Sequence, residues 1–346
     1  MVRILGRFRD GRLVYYIGKG VPMLGYIAFG LIDRGTNVIQ IRPTTICPLN
    51  CIFCSVDAGP FSKNRWAEFI VDHEAIADAI KSIIRYKGYG IEALIDTIGD
   101  PLSYPWLEDL IRALKSINGI RSVAIETHGA LLSIKRIKRL EEAGLDRINL
   151  SIETFDPIKA KYLQGTRWFD VKNVIRIAEY ITKETSIDLH ITPLWIPGIN
   201  DSDIPKIIQW AIRIGAGKYW PPVTVQKYNE HKYGRKVPGV KPVSWKVFWN
   251  KLSKWESELN VKLRYSMRDF YMKYLPRIPC RIRRGEIVEA HVISRGWLRG
   301  EYLGIVKEAN LLTAIIGFRG HIGEDIYIEI IHDKDCLIIG KFIRRV

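Results

Sequence analysis

The chain has no stretch of about 18 or more uncharged apolar residues, so no membrane-spanning helix is expected and no membrane partner. The nearest approach, residues 14–32, carries Lys19 and several glycines. A secretory signal is also missing, because residues 1–10 alternate charged and apolar side chains as a strand does. The expected location is the cytoplasm. Cysteine is scarce and odd in number: five in all, three of them within eight positions. A disulfide framework distributes an even number along a short secreted chain, so these clustered thiols point to metal instead. Acidic residues are the minority, 37 against 53 Lys and Arg, which leaves a net charge of +16. A field of that sign attracts polyanions, and nucleic acid is the commonest large one in the cytoplasm. A Lys-rich solvated surface is the competing explanation, although ion-pair networks alone do not need an excess of one sign.

With 346 residues the sequence suffices for a large domain and a smaller one. Short β-branched runs at Val38–Arg42, Glu92–Thr97, Ser122–Glu126, Arg147–Ile152, Asp188–Pro193 and Val223–Gln226 alternate with helical patterns. Asp72 and Ser133 are positioned as N-caps, Pro105 as a first-turn residue, and Gly88, Gly119 and Gly144 as stops. Helices are also expected at Val171–Thr185, Ile204–Ile214 and, capped by Ser244, up to about Leu259. The alternation predicts an α/β fold with a parallel sheet of six units, an open partial (β/α)6 barrel. Ligands then collect at the carboxyl ends of the strands. From Cys280 the pattern changes to five short strands, Glu286–Ile293, Tyr302–Lys307, Leu312–Ile316, Asp325–Ile331 and Cys336–Phe342, a small OB-like β-barrel. The expected division is a β extension over 1–34, the partial barrel over 35–235, a basic and aromatic linker with a helix over 236–279, and the small barrel over 280–346.

The first barrel strand leads into Cys47-Pro-Leu-Asn-Cys51-Ile-Phe-Cys54. Thiolates hold iron–sulfur clusters, and short spacings let one loop wrap one cluster. Three thiolates on a four-iron cube leave one iron open. A closed structural zinc site would need a fourth ligand, for which His73 is the nearest candidate, and inert buried cysteines rarely come three to a loop. The loop resembles the C-x3-C-x-aromatic-C signature of the radical S-adenosylmethionine (SAM) superfamily, with Phe53 as the aromatic residue, and archaeal-type Fe–S oxidoreductases within it. The resemblance covers roughly 35–235. It implies a [4Fe–4S] cluster on Cys47, Cys51 and Cys54, with SAM on the open iron, and reductive cleavage to a 5′-deoxyadenosyl radical. It also implies an external electron donor such as ferredoxin or flavodoxin.

Later segments resemble the superfamily in order. Thr97-Ile-Gly99-Asp100-Pro101 is similar to the Gly-Gly-Glu-Pro segment that receives the SAM amino group, with Ile98 and Asp100 as departures; an ordinary Asp-Pro turn is the alternative. Glu126-Thr127-His128 stands where Thr-Asn is usual, which makes His128 a pocket residue or a candidate catalyst. Ser151-Ile-Glu153 looks like the Ser-x-Asp segment at the SAM carboxylate and ribose, and strand alternation puts both side chains on one face. Pro197-Gly198-Ile-Asn200-Asp201 is similar to the loop beside the adenine, although Asn200 or Asp201 also reads as an N-cap. Gln226 lies at the barrel mouth.

The tail resembles TRAM domains, small OB-like barrels found on RNA-modifying enzymes. RNA, in particular tRNA or rRNA, is therefore the expected partner, with Lys232, Arg235, Lys236, Arg281, Arg283 and Arg284 as candidate contacts. Trp245, Phe248, Trp249, Leu252 and Trp255 fall near helical spacing, so most of that stripe reads as core. Methylthiolation, which needs three further cysteines, is disfavoured because only Cys280 and Cys336 remain. Cys280 is the candidate mobile thiol, and Cys336 is expected to sit inert in a strand. Modification of an RNA nucleotide is the leading reading. The alternatives are a radical SAM enzyme acting on a protein or small metabolite, and an RNA-binding protein with a structural cluster.

Overall fold

The computed structural model describes residues 1–346. The chain forms two compact units, one comprising Met1–Ile46, Lys63–Arg121 and Tyr274–Val346, the other Cys47–Ser62 and Ser122–Lys273. No helix is long and apolar enough to cross a membrane.

In the first unit, strands Val2–Arg7 and Leu13–Ile17 form an antiparallel hairpin, and Leu13–Ile17 also pairs in parallel with Ala67–Val71. Alternation along Leu13–Ile17 turns Leu13, Tyr15 and Ile17 inward, where Tyr15 stacks on Phe69. Strand Val38–Arg42 runs parallel to Ile91–Ile95 and antiparallel to Gly30–Asp33. Helix His73–Lys87 starts where the Asp72 carboxylate accepts the Ala75 N–H, and stops at Gly88, whose φ of 82° suits glycine. The carboxy-terminal strands Ile287–Arg295, Glu301–Val306, Leu311–Ile316, Ile339–Arg345 and Asp325–His332 neighbour one another in that order and close into a barrel. Its core is an aliphatic cluster that includes Val288, Ala290, Val292, Ile315, Ile326, Ile328 and Ile330.

In the second unit, strands Ile120–Thr127, Arg147–Leu150 and Asp188–Ile191 pair in parallel. Helices Ile134–Glu142, Val171–Glu184 and Asp203–Arg213 follow them in the expected alternation. Helix Pro157–Leu163, capped by Asp156, is an additional element. The second-unit strands are almost wholly buried, as parallel strands covered on both faces are.

Two expectations need correction and a third is refined. The sixth strand, Val223–Gln226, is broken: Val223 bridges Ile191, and the pairing resumes only between Gln226–Lys227 and Leu194–Trp195. Pro193 has no N–H to donate, so the ladder skips a step. Cys336 is not in a strand but ends the turn Lys334–Cys336, because Asp335 and Cys336 both adopt left-handed φ, 55° and 54°. The aromatic stripe of helix Trp245–Leu259 divides: Phe248, Leu252 and Trp255 are buried, whereas Trp245 and Trp249 are exposed.

Candidate functional site

The loop carrying Cys47, Cys51 and Cys54 belongs to the second unit and is held there by backbone bonds. The N–H groups of Asn50 and Ile52 donate to the carbonyls of Gln164 and Leu163, at 3.0 and 2.9 Å. Gly165 has φ +57°, and a Cβ on it would lie 2.1 Å from the Asn50 oxygen, so only glycine permits this approach. On the other side the Arg235 N–H donates to the Cys54 carbonyl at 2.8 Å. The Arg235 guanidinium pairs with Asp57 at 2.8 Å and donates to the carbonyls of Cys51 and Ala58 at 3.0 and 2.6 Å. Arg235 was a candidate nucleic-acid contact; its guanidinium is instead engaged with the cysteine loop.

Cys51 is buried, and Cys47 and Cys54 are partly exposed. Burial, then the neighbouring Cys47 and Cys54, pushes the Cys51 thiol up. Its S–H donates to Gln164 Oε1 at 2.6 Å, and the Ala58 N–H donates to Cys54 Sγ at 3.2 Å. No three His, Cys, Asp or Glu side chains converge as a single metal ion requires. Three thiols spread along one loop fit a cluster, in which each thiolate takes a different iron, better than a mononuclear zinc site.

Gln164 links the thiols to the strand ends. Its Nε2 donates to Glu153 Oε2 at 2.7 Å and lies 3.4 Å from His128 Nδ1. The other Glu153 oxygen is buried without a partner. Burial pushes the Glu153 carboxyl up to about 8 and holds His128 down at about 4, so both are neutral at pH 7. His128 packs against Phe53, with ring centres 5.9 Å apart. Ser151 Oγ pairs with Thr192 Oγ1 at 3.0 Å, and Thr127 Oγ1 accepts from Gly129 N–H. Asn200 is no N-cap, a place taken by Ser202. Its fully buried amide donates to the carbonyls of Glu153 and Leu194 at 3.0 and 2.9 Å, and so fixes the loop containing Pro197 and Gly198. Gln226 donates to Glu126 at 3.1 Å.

In the first unit, Gly99 lies against the residue before Cys47. A Cβ there would be 2.0 Å from the Ile46 oxygen, which also accepts the Asp100 N–H at 3.0 Å. The Asp100 carboxylate caps the short turn Pro101–Ser103 through the Leu102 N–H. Sequence reasoning missed what anchors this approach. Thr45 donates to Glu68, and Glu68 is paired with Arg12 at 2.6 Å and Arg65 at 3.4 Å, all buried. Gln164 was missed as well, since neither a motif nor a spacing marks it. Only the adjacent Gly165 carried a signal.

Among the remaining candidates, Lys232, Lys236, Arg281, Arg283 and Arg284 are exposed. Cys280 is not a free thiol. It is bonded to Cys336, with Cα atoms 5.4 Å apart, because the left-handed turn at Asp335 and Cys336 faces the Pro279–Cys280 segment.

The sequence profile of the Radical SAM superfamily matches residues 41–211. Protein MJ0103 of Methanocaldococcus jannaschii, described as uncharacterized, is 37% identical over 354 residues, covering 96% of this chain and 81% of that protein. The GTP 3′,8-cyclase of Chlorobaculum tepidum is 29% identical over 176 residues, 51% of this chain and 50% of the cyclase. The chain thus spans about half the length of that cyclase. Among solved structures, Streptococcus suis SuiB bound to precursor peptide SuiA has the same fold over 70% of this chain and 48% of its own, with TM-score 0.51 and 16% identity.

Proposed function

The chain belongs to the radical SAM superfamily, whose cofactors are a [4Fe–4S] cluster and SAM, and on that premise we propose that it modifies a nucleotide of RNA. When bound, the cofactors supply hydrogen-atom abstraction by a 5′-deoxyadenosyl radical, with an electron from an external donor such as ferredoxin or flavodoxin. Cys47, Cys51 and Cys54 are the three protein ligands of the cluster. Gln164 and Arg235 position their loop. Ser151 and Glu153 are the residues we assign to the SAM carboxylate and ribose hydroxyls, an assignment that the unpartnered Glu153 oxygen supports. Phe53, Thr127, Pro197, Gly198 and Gln226 are assigned to the same SAM site by the motifs they belong to. Around 97–102, the Asp100 carboxylate caps its own turn, and the backbone carbonyls of the segment carrying Gly99 and Pro101 are the candidate acceptors for an ammonium group.

The observation that carries the RNA reading is exposed aromatic surface beside unneutralised cations. Trp245 and Trp249 stack on each other, 5.9 Å between rings, with Lys227 5.1 Å above Trp245. Bases stack on such rings, and cations hold the phosphates. Arg281, Arg283 and Arg284 add charge on the barrel-bearing unit, whose closed five-stranded barrel we read as TRAM-like. The Cys280–Cys336 bond removes both thiols that a second cluster or a cysteine carrier would use. The likeness to GTP 3′,8-cyclases favours a second reading, a small purine nucleotide as substrate, but it ends at half the chain. Nucleoside mass spectrometry of RNA from cells with and without this protein tests the proposal. One modified nucleoside should vanish in its absence; an unchanged RNA profile with an altered nucleotide pool supports the second reading.

A further inference from the structure

We infer that an open cleft on the carboxy-terminal barrel, bounded by Trp66, Tyr302, Phe318 and Arg319, binds a single-stranded RNA nucleotide. This inference deepens the RNA reading and rests on it.

The cleft encloses about 600 Å³. Three rings line it in sequence, each edge-on to the next: Trp66 to Tyr302 at 5.5 Å and 83°, then Tyr302 to Phe318 at 5.0 Å and 81°. Trp66 comes from outside the barrel. The segment 64–66 is zipped onto 297–299 by the Trp66 N–H to the Trp297 carbonyl, the Arg299 N–H to the Asn64 carbonyl, and the bridge between Arg65 and Leu298. Alternation along that segment buries Arg65 and turns the Trp66 ring outward. The rings are held before any ligand arrives. Tyr302 Oη donates to the Gly320 carbonyl at 3.2 Å, and a Cβ on Gly320 would strike the Phe318 ring at 2.4 Å. Pre-set rings lower the cost of ordering on binding.

Charge favours an anion here. Arg295 lies 4.6 Å over the Trp66 ring, and Arg319 is exposed at the rim beside His321. The nearby Glu324 carboxylate is taken up by Arg345 at 2.7 Å and by the His321 N–H at 2.6 Å. A flat π-face beside free guanidinium suits a base and its phosphate, the pairing that single-strand binders use.

The test is fluorescence anisotropy of the full chain with labelled oligouridylate and oligoadenylate across a salt series. Trp66→Ala should weaken binding about tenfold, the size of one lost stack. Arg319→Glu, at an exposed position, should weaken binding and lower the salt slope by about one. Wild-type affinity in both variants overturns the cleft while leaving the RNA reading standing. So does binding of a proline-rich peptide that RNA fails to displace. Absence of RNA binding by the wild type, together with an unchanged nucleoside profile, overturns both.

Discussion

Gly99 and Gly165 show how much can rest on a missing side chain. Each lets one backbone pass within van der Waals contact of another beside the cysteine loop, Gly99 at Ile46 and Gly165 at Asn50. Gly99→Ala forces an overlap with backbone, which cannot move aside as a side-chain tip can. We expect a loss of about 1–3 kcal/mol in stability by chemical denaturation, and iron retention below that of wild type at equal folded fraction. Glu301 offers a residue-scale test away from the site. Burial pushes its carboxyl from 4.5 up to about 7. Between those values the native state keeps a proton the unfolded chain has lost. Its stabilisation is therefore complete below 4.5 and is lost as pH rises through 7, at about 1.4 kcal/mol per unit. Glu301→Gln should match wild type at pH 5 and exceed it in melting temperature at pH 8. Equal pH slopes for the two proteins would contradict this assignment.

At the scale of elements, the cysteine loop depends on a distant arm of chain. Arg235 reaches three of its backbone oxygens or side chains at once, and Lys cannot reproduce that planar fork. Arg235→Ala and Arg235→Lys should both fold, as judged by circular dichroism, yet lose a reconstituted cluster severalfold faster on exposure to air. Retention equal to wild type would mean that the loop holds itself. The strand–helix alternation, the Asp72 and Ser133 caps and the spacing of the cysteines were all legible in sequence, because each is a local pattern. The broken sixth strand was not, since Pro193 acts through the partner strand rather than its own. Nor was the role of Arg235, which read as one basic residue among many: its meaning lies in Asp57 and the loop carbonyls, about 180 positions away in sequence. Glu153 was singled out by the resemblance of Ser151-Ile-Glu153 to a superfamily segment, while Gln164, which ties Glu153 to Cys51, carries no periodic signature.

For the molecule as a whole, the net charge of +16 predicts RNA binding that weakens steeply with salt, in proportion to the phosphates neutralised. That charge was visible in composition, but which cations are free was not, because pairing with Asp57, Glu230 or Glu324 depends on the fold. The superfamily chemistry rests on something narrower than charge, namely three thiols on one loop. The most direct test is anaerobic reconstitution with iron, sulfide, reductant and SAM, followed by assay of 5′-deoxyadenosine. Wild type should release it and Cys51→Ser should not, while both remain folded. Release by Cys51→Ser at the wild-type rate, or a wild-type protein that takes up zinc and stays colourless, would contradict the account.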